Sequence, residues 1–387
     1  MHDKLKQLII KTAFIDDGIN PKFIPPHIPF QNYTAGEAGV CLSEPVSGIS
    51  HGTMCYQIFN NNVNVPYRLT DIKVLDNTTG TGSHKALVSA LNWCASQNFD
   101  IINMSMGTRQ YTDFAPIAAA VSRINKSIII AACSNENQLT FPACLPSVIG
   151  VRHSSRDELA SNFAYFSNPY DQIEIVTCVK DEPVSFGENI VKKMSGANSF
   201  ATPLITARIC NYFSQGYKTL DAIKMQLERD SVKDTSFASY DFYKNRTLNW
   251  EECTVPIVAV PDTVPEADRR LKELLNVFVQ DGYRAIALSK RQETNAAGFI
   301  YNFHWHGNDE ITLQNLIELH YNFALPDLIF LQMPTEDIIT LPENLQPDIA
   351  LRLPATDMGY ITLDEKYVLE LTNSAGQLFA NIVELLS

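Results

Sequence analysis

Between residues 12 and 229 the apolar positions fall into short unbroken runs, separated by stretches in which they recur at helical spacing. Residues 12–15, 69–75, 100–107 and 127–133 read as strands, the last of them apolar throughout after Ser127. Leu87, Ala90, Leu91 and Cys94 share one face of a helix expected over 84–95, and further helices are expected over 118–124 and 219–229. Strands that are apolar along their length and alternate with helices form a parallel sheet covered on both faces. The carboxyl edge of that sheet is where Gly, Ser and Asn accumulate.

The alternation resumes after residue 254. Strands are expected over 255–260, 285–288, 328–331 and 349–353, and helices over 266–280, 313–323 and 375–386. The first of these helices carries Leu271, Leu274, Leu275 and Phe278 on one face and stops at Gly282. This predicts a smaller, doubly wound α/β domain. Residues 230–254 are polar and aromatic without a period (Tyr240, Tyr243, Asn245, Trp250) and read as a packed connector. The expected domains are therefore 1–240 and 255–387. The loop 261–265 has no glycine and no phosphate-cradling motif, so nucleotide binding is not expected. His304, Trp305, His306, Asp309, Glu310 and His320 lack a zinc spacing and read as surface and helix residues.

Composition narrows the partners. The chain of 387 residues is 45% hydrophobic, long enough for two cores, and its net charge of -13 argues against a nucleic-acid surface. Its eight cysteines have no paired or metal-type spacing and mostly lie in apolar runs, as buried thiols of a reducing compartment do. The first residues carry no secretory apolar segment and no membrane span. A cytoplasmic protein without a membrane partner is expected.

Three side chains stand out chemically. Asp16 follows a short apolar strand, at the sheet edge where α/β folds place working groups, although an ordinary Asp-Gly turn has the same look. His51 precedes Gly-Thr and then apolar residues at helical spacing, so it stands at the mouth of a helix; a lone histidine is more often structural. Ser199 follows small residues and precedes a helical run, where free N–H groups and the positive dipole end favour an oxyanion, and where a plain N-cap serine also sits.

Six stretches together resemble, in order and separation, the signature blocks of the subtilisin-like serine proteases, the subtilases. They are Ile15-Asp16-Asp17-Gly18, His51-Gly52-Thr53, Asn103-Met104-Ser105-Met106-Gly107, Ala131-Ala132-Cys133-Ser134-Asn135-Glu136, Phe141-Pro142-Ala143 with Pro146-Ser147-Val148-Ile149-Gly150-Val151, and Ser199-Phe200-Ala201-Thr202-Pro203. The resemblance covers residues 8–235 and implies a subtilisin-like parallel sheet with helices on both faces. Acyl transfer needs a nucleophile, a base, a group holding the base in one tautomer and donors for the oxyanion. Ser199, His51 and Asp16 fill the first three roles in the family's order Asp, His, Ser, and Asn135 supplies an amide donor. The resemblance further implies that a peptide adds as a strand along Ser105, Met106 and Gly107, with a specificity pocket walled by residues 131–135, Ala132 and Cys133 among them, and floored near Thr140. Cys55, where some subtilases place a cysteine beneath the histidine, is read as a packed thiol.

Departures from the pattern are Ala197-Asn198 in place of the usual Gly-Thr before the nucleophile, and Met54, Tyr56 and Gln57 after His-Gly-Thr. Residues 60–66 are shorter than the family's calcium loop, so neither a metal site nor another cofactor is expected. Only fifteen residues precede Asp16, too few for the family's folding pro-region. A short peptidase region with an appended α/β domain is similar in architecture to subtilases that remove leaders from ribosomally made, modified peptides. Two function classes stand: a serine endopeptidase acting on a peptide or protein substrate, and a low-activity subtilase scaffold that binds peptides.

Overall fold

The structure is a computed structural model that describes residues 9–160, 162–167, 169, 171–180, 183–186, 190–193, 196–233, 255–262, 265–292, 295, 298–302, 313–339, 341, 343–352 and 367–387. Most of the expected connector, Ser195, Cys253, His304, Trp305, His306, Asp309, Glu310 and Leu353 lie outside these residues. The chain divides into two units, the first made of Met1–Arg109 and Asp113–Ser239, the second of Gln110–Thr112 and Tyr240–Ser387.

The first unit runs through β1 (Ile10–Asp16), β2 (Phe30–Gly36), β3 (Gly39–Leu42), α1 (His51–Asn62), β4 (Tyr67–Lys73), α2 (His84–Ser96), β5 (Ile101–Met104), α3 (Phe114–Val121), β6 (Ile128–Ala132), β7 (Val148–His153), β8 (Phe163–Tyr165), β9 (Ile175–Thr177), the hairpin β10 (Pro183–Phe186) and β11 (Ile190–Lys193), α4 (Asn198–Ser214) and α5 (Leu220–Asp230). Nine strands form one sheet in the order β3-β2-β4-β1-β5-β6-β7-β9-β8. All neighbours are parallel except the edge pairs β2/β3 and β8/β9. Ile10 and Phe14 of β1 join α1, α4 and α5 in one buried cluster, while Ala13 and Ile15, on the opposite face of the strand, are buried outside it. Burial on both faces is why Ala13, Phe14 and Ile15 form an unbroken apolar run.

Local chemistry fixes the helix starts. Ser50 and Thr219 each accept a hydrogen bond from an N–H of the first turn, of Thr53 and Ala222 respectively. Two expectations shift. β5 stops at Met104 because Thr108 pairs instead with Phe141 in an isolated antiparallel bridge, which takes residues 105–108 out of the parallel ladder. α3 begins at Phe114 rather than near residue 118, because Pro116 in its first turn needs no hydrogen-bond donor there. Cys41 corrects the reading of the cysteines as buried: it lies exposed on edge strand β3.

The second unit runs through β12 (Ile257–Pro261), α6 (Pro265–Gln280), β13 (Ala285–Ser289), β14 (Ile300–Asn302), α7 (Leu313–Ala324), β15 (Leu328–Met333), α8 (Thr335–Ile339), β16 (Ile349–Arg352), β17 (Val368–Glu370) and α9 (Ala375–Leu386). Its six strands are all parallel, in the order β14-β13-β15-β12-β16-β17. Leu271, Leu274, Leu275 and Phe278 of α6 and Leu378 and Ile382 of α9 share a buried cluster with the sheet. Among the described residues, no helix is long and apolar enough to cross a membrane.

One ion pair fastens the first unit from behind. Lys224 of α5 donates to the carboxylate of Glu174 (2.5 Å) and to the carbonyl of Pro146 (3.1 Å), while Gly150 N–H donates to the other Glu174 oxygen (3.0 Å). Glu174 is buried, and burial raises its pKa while Lys224 lowers it. Lys224→Met therefore strands a buried carboxylate and should destabilise the protein by about 3 kcal/mol. A carboxyl with a raised folded pKa loses stability as pH climbs above its unfolded value, so the deficit measured by denaturant titration should grow from pH 5 to pH 8. A loss below about 0.5 kcal/mol, the level of an exposed pair, would refute this account.

Candidate active site

Strand β1 ends in two adjacent carboxylates with different tasks. Asp17 accepts backbone N–H groups from the first turn of α1, His51 N–H on Oδ2 (3.0 Å) and Gly52 N–H on Oδ1 (2.7 Å). It thereby satisfies two of the helix's free donors at the positive end of the dipole. This contact pins the start of α1 against the end of β1. A Cβ on Gly52 would come within 2.8 Å of the Gly18 carbonyl oxygen and 3.1 Å of Asp16 Cβ, so the approach requires glycine.

His51, the first residue of α1, is thus set over Asp16. Its Nδ1 lies 2.8 Å from Asp16 Oδ1 and its Nε2 lies 2.9 Å from Ser199 Oγ. Asp16 is fully buried, and its Oδ1 also accepts the Asp17 N–H (2.9 Å). The imidazole stacks on Phe200 at a centroid distance of 5.2 Å. Ser199 is not the helix cap: α4 starts one residue earlier, its cap is Ala197, and no side chain caps it. The hydroxyl is accordingly free of helix duty and engages His51.

Burial opposes a proton on His51, but the neighbouring Cys55 thiol and the Asp16 carboxylate outweigh it and raise the pKa. Burial pushes Cys55 up as well, so it stays a thiol and Asp16 supplies the charge that favours the imidazolium. Cys55 Sγ lies 3.8 Å from both ring nitrogens and donates to the Ser199 carbonyl at 3.6 Å. That carbonyl needs a donor, because Pro203, four residues on in α4, has no N–H to give it. Asp16, His51 and Cys55 form the one cluster of potential metal ligands among the described residues. An ion there would compete for the ring nitrogens that already serve Asp16 and Ser199.

The remaining expected residues lie around this line. Asn135 is exposed after β6, and its Oδ1 accepts the N–H of Asn198 (3.0 Å), which orients the amide beside the start of α4. Ser105 is buried and accepts from Asn103 Nδ2 (3.1 Å), whose Oδ1 in turn accepts from Thr206 of α4 (2.7 Å). Met106 is half-buried and Gly107 exposed, and a Cβ on Gly107 would meet Thr140 Cγ2 at 2.7 Å and the Phe141 carbonyl oxygen at 2.8 Å. Ala132, Cys133 and Thr140 are buried; the Thr140 hydroxyl accepts from Ser134 N–H (3.0 Å) and donates to the Gln138 carbonyl (2.6 Å).

Sequence reading named Asn198 only as a departure from the family pattern, without a role, and passed over Asp71 and the capping role of Asp17. Asp71 is buried, accepts the Ile19 N–H (2.8 Å) and is pushed up to about 8 by burial and by the charges of Asp16 and Asp17, so it is protonated at neutral pH. The paired Asp16-Asp17 before Gly18 was the available signal for the cap. Nothing in the sequence marks Asp71.

The family model described as "Subtilase family" matches residues 10–239. Subtilisin DY of Bacillus licheniformis is 26% identical over 186 residues, covering 46% of this chain and 65% of that relative, so the chain spans less than two thirds of it. Among solved structures, a cold adapted subtilisin-like serine proteinase is 21% identical with a TM-score of 0.45, covering 59% of this chain and 86% of that one. The prenylagaramide maturation protease PagA is 22% identical with a TM-score of 0.40, covering 58% and 79%.

The Asp16 contact fixes the direction of one titration. An NMR titration of the His51 ring should give a midpoint above the ordinary 6.5. Asp16→Asn should lower it, because the charge favouring the imidazolium is gone. A midpoint that Asp16→Asn leaves unmoved would contradict the coupling.

Proposed function

The chain belongs to the subtilase family, and we propose that it is a serine endopeptidase. In this reading Ser199 Oγ attacks the carbonyl carbon of a peptide bond while His51 Nε2 takes its proton, forming the tetrahedral oxyanion. His51 then returns the proton to the departing amine, which leaves an acyl ester on Ser199. Water repeats the two proton transfers and frees the acid. Asp16 holds the Nδ1–H tautomer and stabilises the imidazolium. Asn135 Nδ2 and the Ser199 N–H, at the positive end of α4, receive the oxyanion. The observation that carries the proposal is the unbroken line Asp16 Oδ1, His51 Nδ1, His51 Nε2, Ser199 Oγ, with contacts of 2.8 and 2.9 Å.

The substrate segment is proposed to lie as an added strand along Ser105, Met106 and Gly107, its side chain directed between that segment and residues 132–140. The finer assignment is removal of a leader from a modified-peptide precursor. It rests on the architecture read in the sequence, a peptidase domain over 1–240 followed by an α/β domain over 255–387 that recognises a remote part of the substrate. The free thiols among the described cysteines support a reducing, cytoplasmic setting.

Ser199→Ala should abolish both hydrolysis and labelling by a fluorophosphonate without lowering Tm; a variant that is still labelled would end the proposal. Asn135→Ala should lower kcat by about 10²–10³ with little change in KM, since its donor serves the transition state. For the second domain, kcat/KM for a full precursor should exceed that for a short peptide spanning the same bond, because remote binding energy is available only to the former. Exposed substitutions on α6 or α9 should shrink that ratio. Equal effects on long and short substrates would leave the domain a purely stabilising role.

A further inference from the structure

We infer that Asn198 is a positioning residue that sets the oxyanion donor against the nucleophile, an inference that rests on the acyl-transfer reading above. Besides the bond its carbonyl accepts from Thr202 of α4 (3.0 Å), three hydrogen bonds tie this residue to other elements. Its backbone N–H donates to Asn135 Oδ1 (3.0 Å), its side-chain Nδ2 donates to the Ser134 carbonyl (2.6 Å), and its Oδ1 accepts the N–H of His153, the last residue of β7 (2.7 Å). Asn198 itself is only 4% exposed, so leaving its side-chain amide unpaired would cost more than at the surface, although the bonds it makes are only partly shielded.

The geometry assigns the role through what the three bonds join. Asn135 sits in the turn that Asn137 N–H closes onto the Ser134 carbonyl (3.0 Å). Asn198 therefore grips the turn twice, at the carbonyl before Asn135 and at the Asn135 side chain itself. It is also covalently next to Ser199. The distance from donor amide to nucleophile is in this way fixed by a single residue. The third bond, to β7, keeps the bracket from swinging. An amide offers a donor and an acceptor in one rigid plane, which suits a bridge between a carbonyl and an N–H; the hydroxyl of the family's usual threonine has a different shape and reach.

The turn has an independent fastening on its other side. Arg152 Nε donates to Asn137 Oδ1 (2.8 Å), and its guanidinium pairs with the buried Asp171. Changing Asn198 should then leave the turn closed while loosening its registration on Ser199. Misplacement of a catalytic group by about 1 Å costs on the order of 10² in rate.

The test follows fluorophosphonate labelling of Ser199 in the full chain, measuring the maximal rate kinact and the half-saturation constant KI for wild type, Asn198→Asp, Asn135→Ala and the double variant. Asn198→Asp keeps the shape and the acceptor for His153 but sets an oxygen against the Ser134 carbonyl. Expected is a fall in kinact of about 10- to 100-fold with KI changed by less than about threefold. In the Asn135→Ala background the same substitution should cost less than about threefold, since the donor it positions is already gone. Equal losses in both backgrounds, or a loss confined to KI, would overturn the positioning role. Should Asn198→Asp not fold, Asn198→Ala permits the same comparison without adding a charge. A wild-type chain that takes no label refutes the acyl-transfer reading itself, whereas a labelled wild type with background-independent losses refutes only the role of Asn198.

Discussion

The rest of the site depends on holding the charge of Asp16 inside the protein, at the carboxyl end of a strand buried on both faces. An ionised carboxyl in such a place survives only if it is paired and hydrogen-bonded. Two more carboxyl groups, on Asp17 and Asp71, crowd the same corner, and each is accommodated by a different means. Asp17 spends both oxygens on backbone N–H groups at the start of α1. Asp71 keeps its proton. Asp16 alone is left to be balanced by a side chain, His51. The capping by Asp17 is what brings that side chain there, so the position of the imidazole follows from how the corner disposes of negative charge.

The nucleophile is placed by a second set of constraints that meets the first at His51. Helix α4 is buried over much of its surface, Ala201, Ile205, Ala207, Ile209 and Cys210 among others, so its axis is fixed by packing rather than by a cap. Pro203 ends the hydrogen-bond ladder under Ser199, and the Cys55 thiol from α1 fills in at the freed carbonyl. One helix thus contributes both the imidazole and the sulfur that stabilises the backbone of the residue the imidazole serves. The thiol works here because burial keeps it protonated, and that same burial makes it a poor nucleophile.

What was legible in the sequence follows the same physics. The central strands β1 and β6 were visible because burial on both faces forces continuous apolarity, whereas Asp16, His51 and Ser199, each open alone to a turn, structural or capping role, stood out because their stretches together resemble the family's blocks. The strands β3, at the edge, and β2, beside it, were not: β2 carries Asn32, Tyr33 and Thr34 among few apolar positions, β3 lies largely exposed, and their pairing is a tertiary fact without a periodic signature. Ser199 looked like a cap because small residues precede it, yet the helix reaches back to Asn198, whose side chain bonds β7 and the Ser134 carbonyl instead of its own helix. The competition between local capping and long-range bonding for an asparagine amide cannot be decided from neighbours in sequence.

The second unit shows the same economy of polar groups at a sheet edge, with a different result. At the carboxyl ends of β13 and β15, where parallel sheets gather ligands, Ser289 Oγ and Gln292 Nε2 both donate to Gln332 Oε1 (2.8 and 2.7 Å). Gln332 Nε2 donates to Asp268 (2.8 Å), and Arg291 pairs with the same carboxylate at 3.1 Å. Ser289 and Gln332 are fully buried. Among the described residues these side chains are bonded mostly to one another, with Gln292 Oε1 left without a partner, and the loop after β12 has no glycine to bring backbone close to a phosphate. His320 fits this picture: burial holds it neutral, with its pKa lowered to about 3, and its Nδ1 bonds the Leu316 carbonyl in its own helix (2.9 Å). Among the described residues, the polar groups at the ends of β13 and β15 are thus taken up mainly by one another, and the recognition proposed for this domain would fall to exposed faces such as those of α6 and α9.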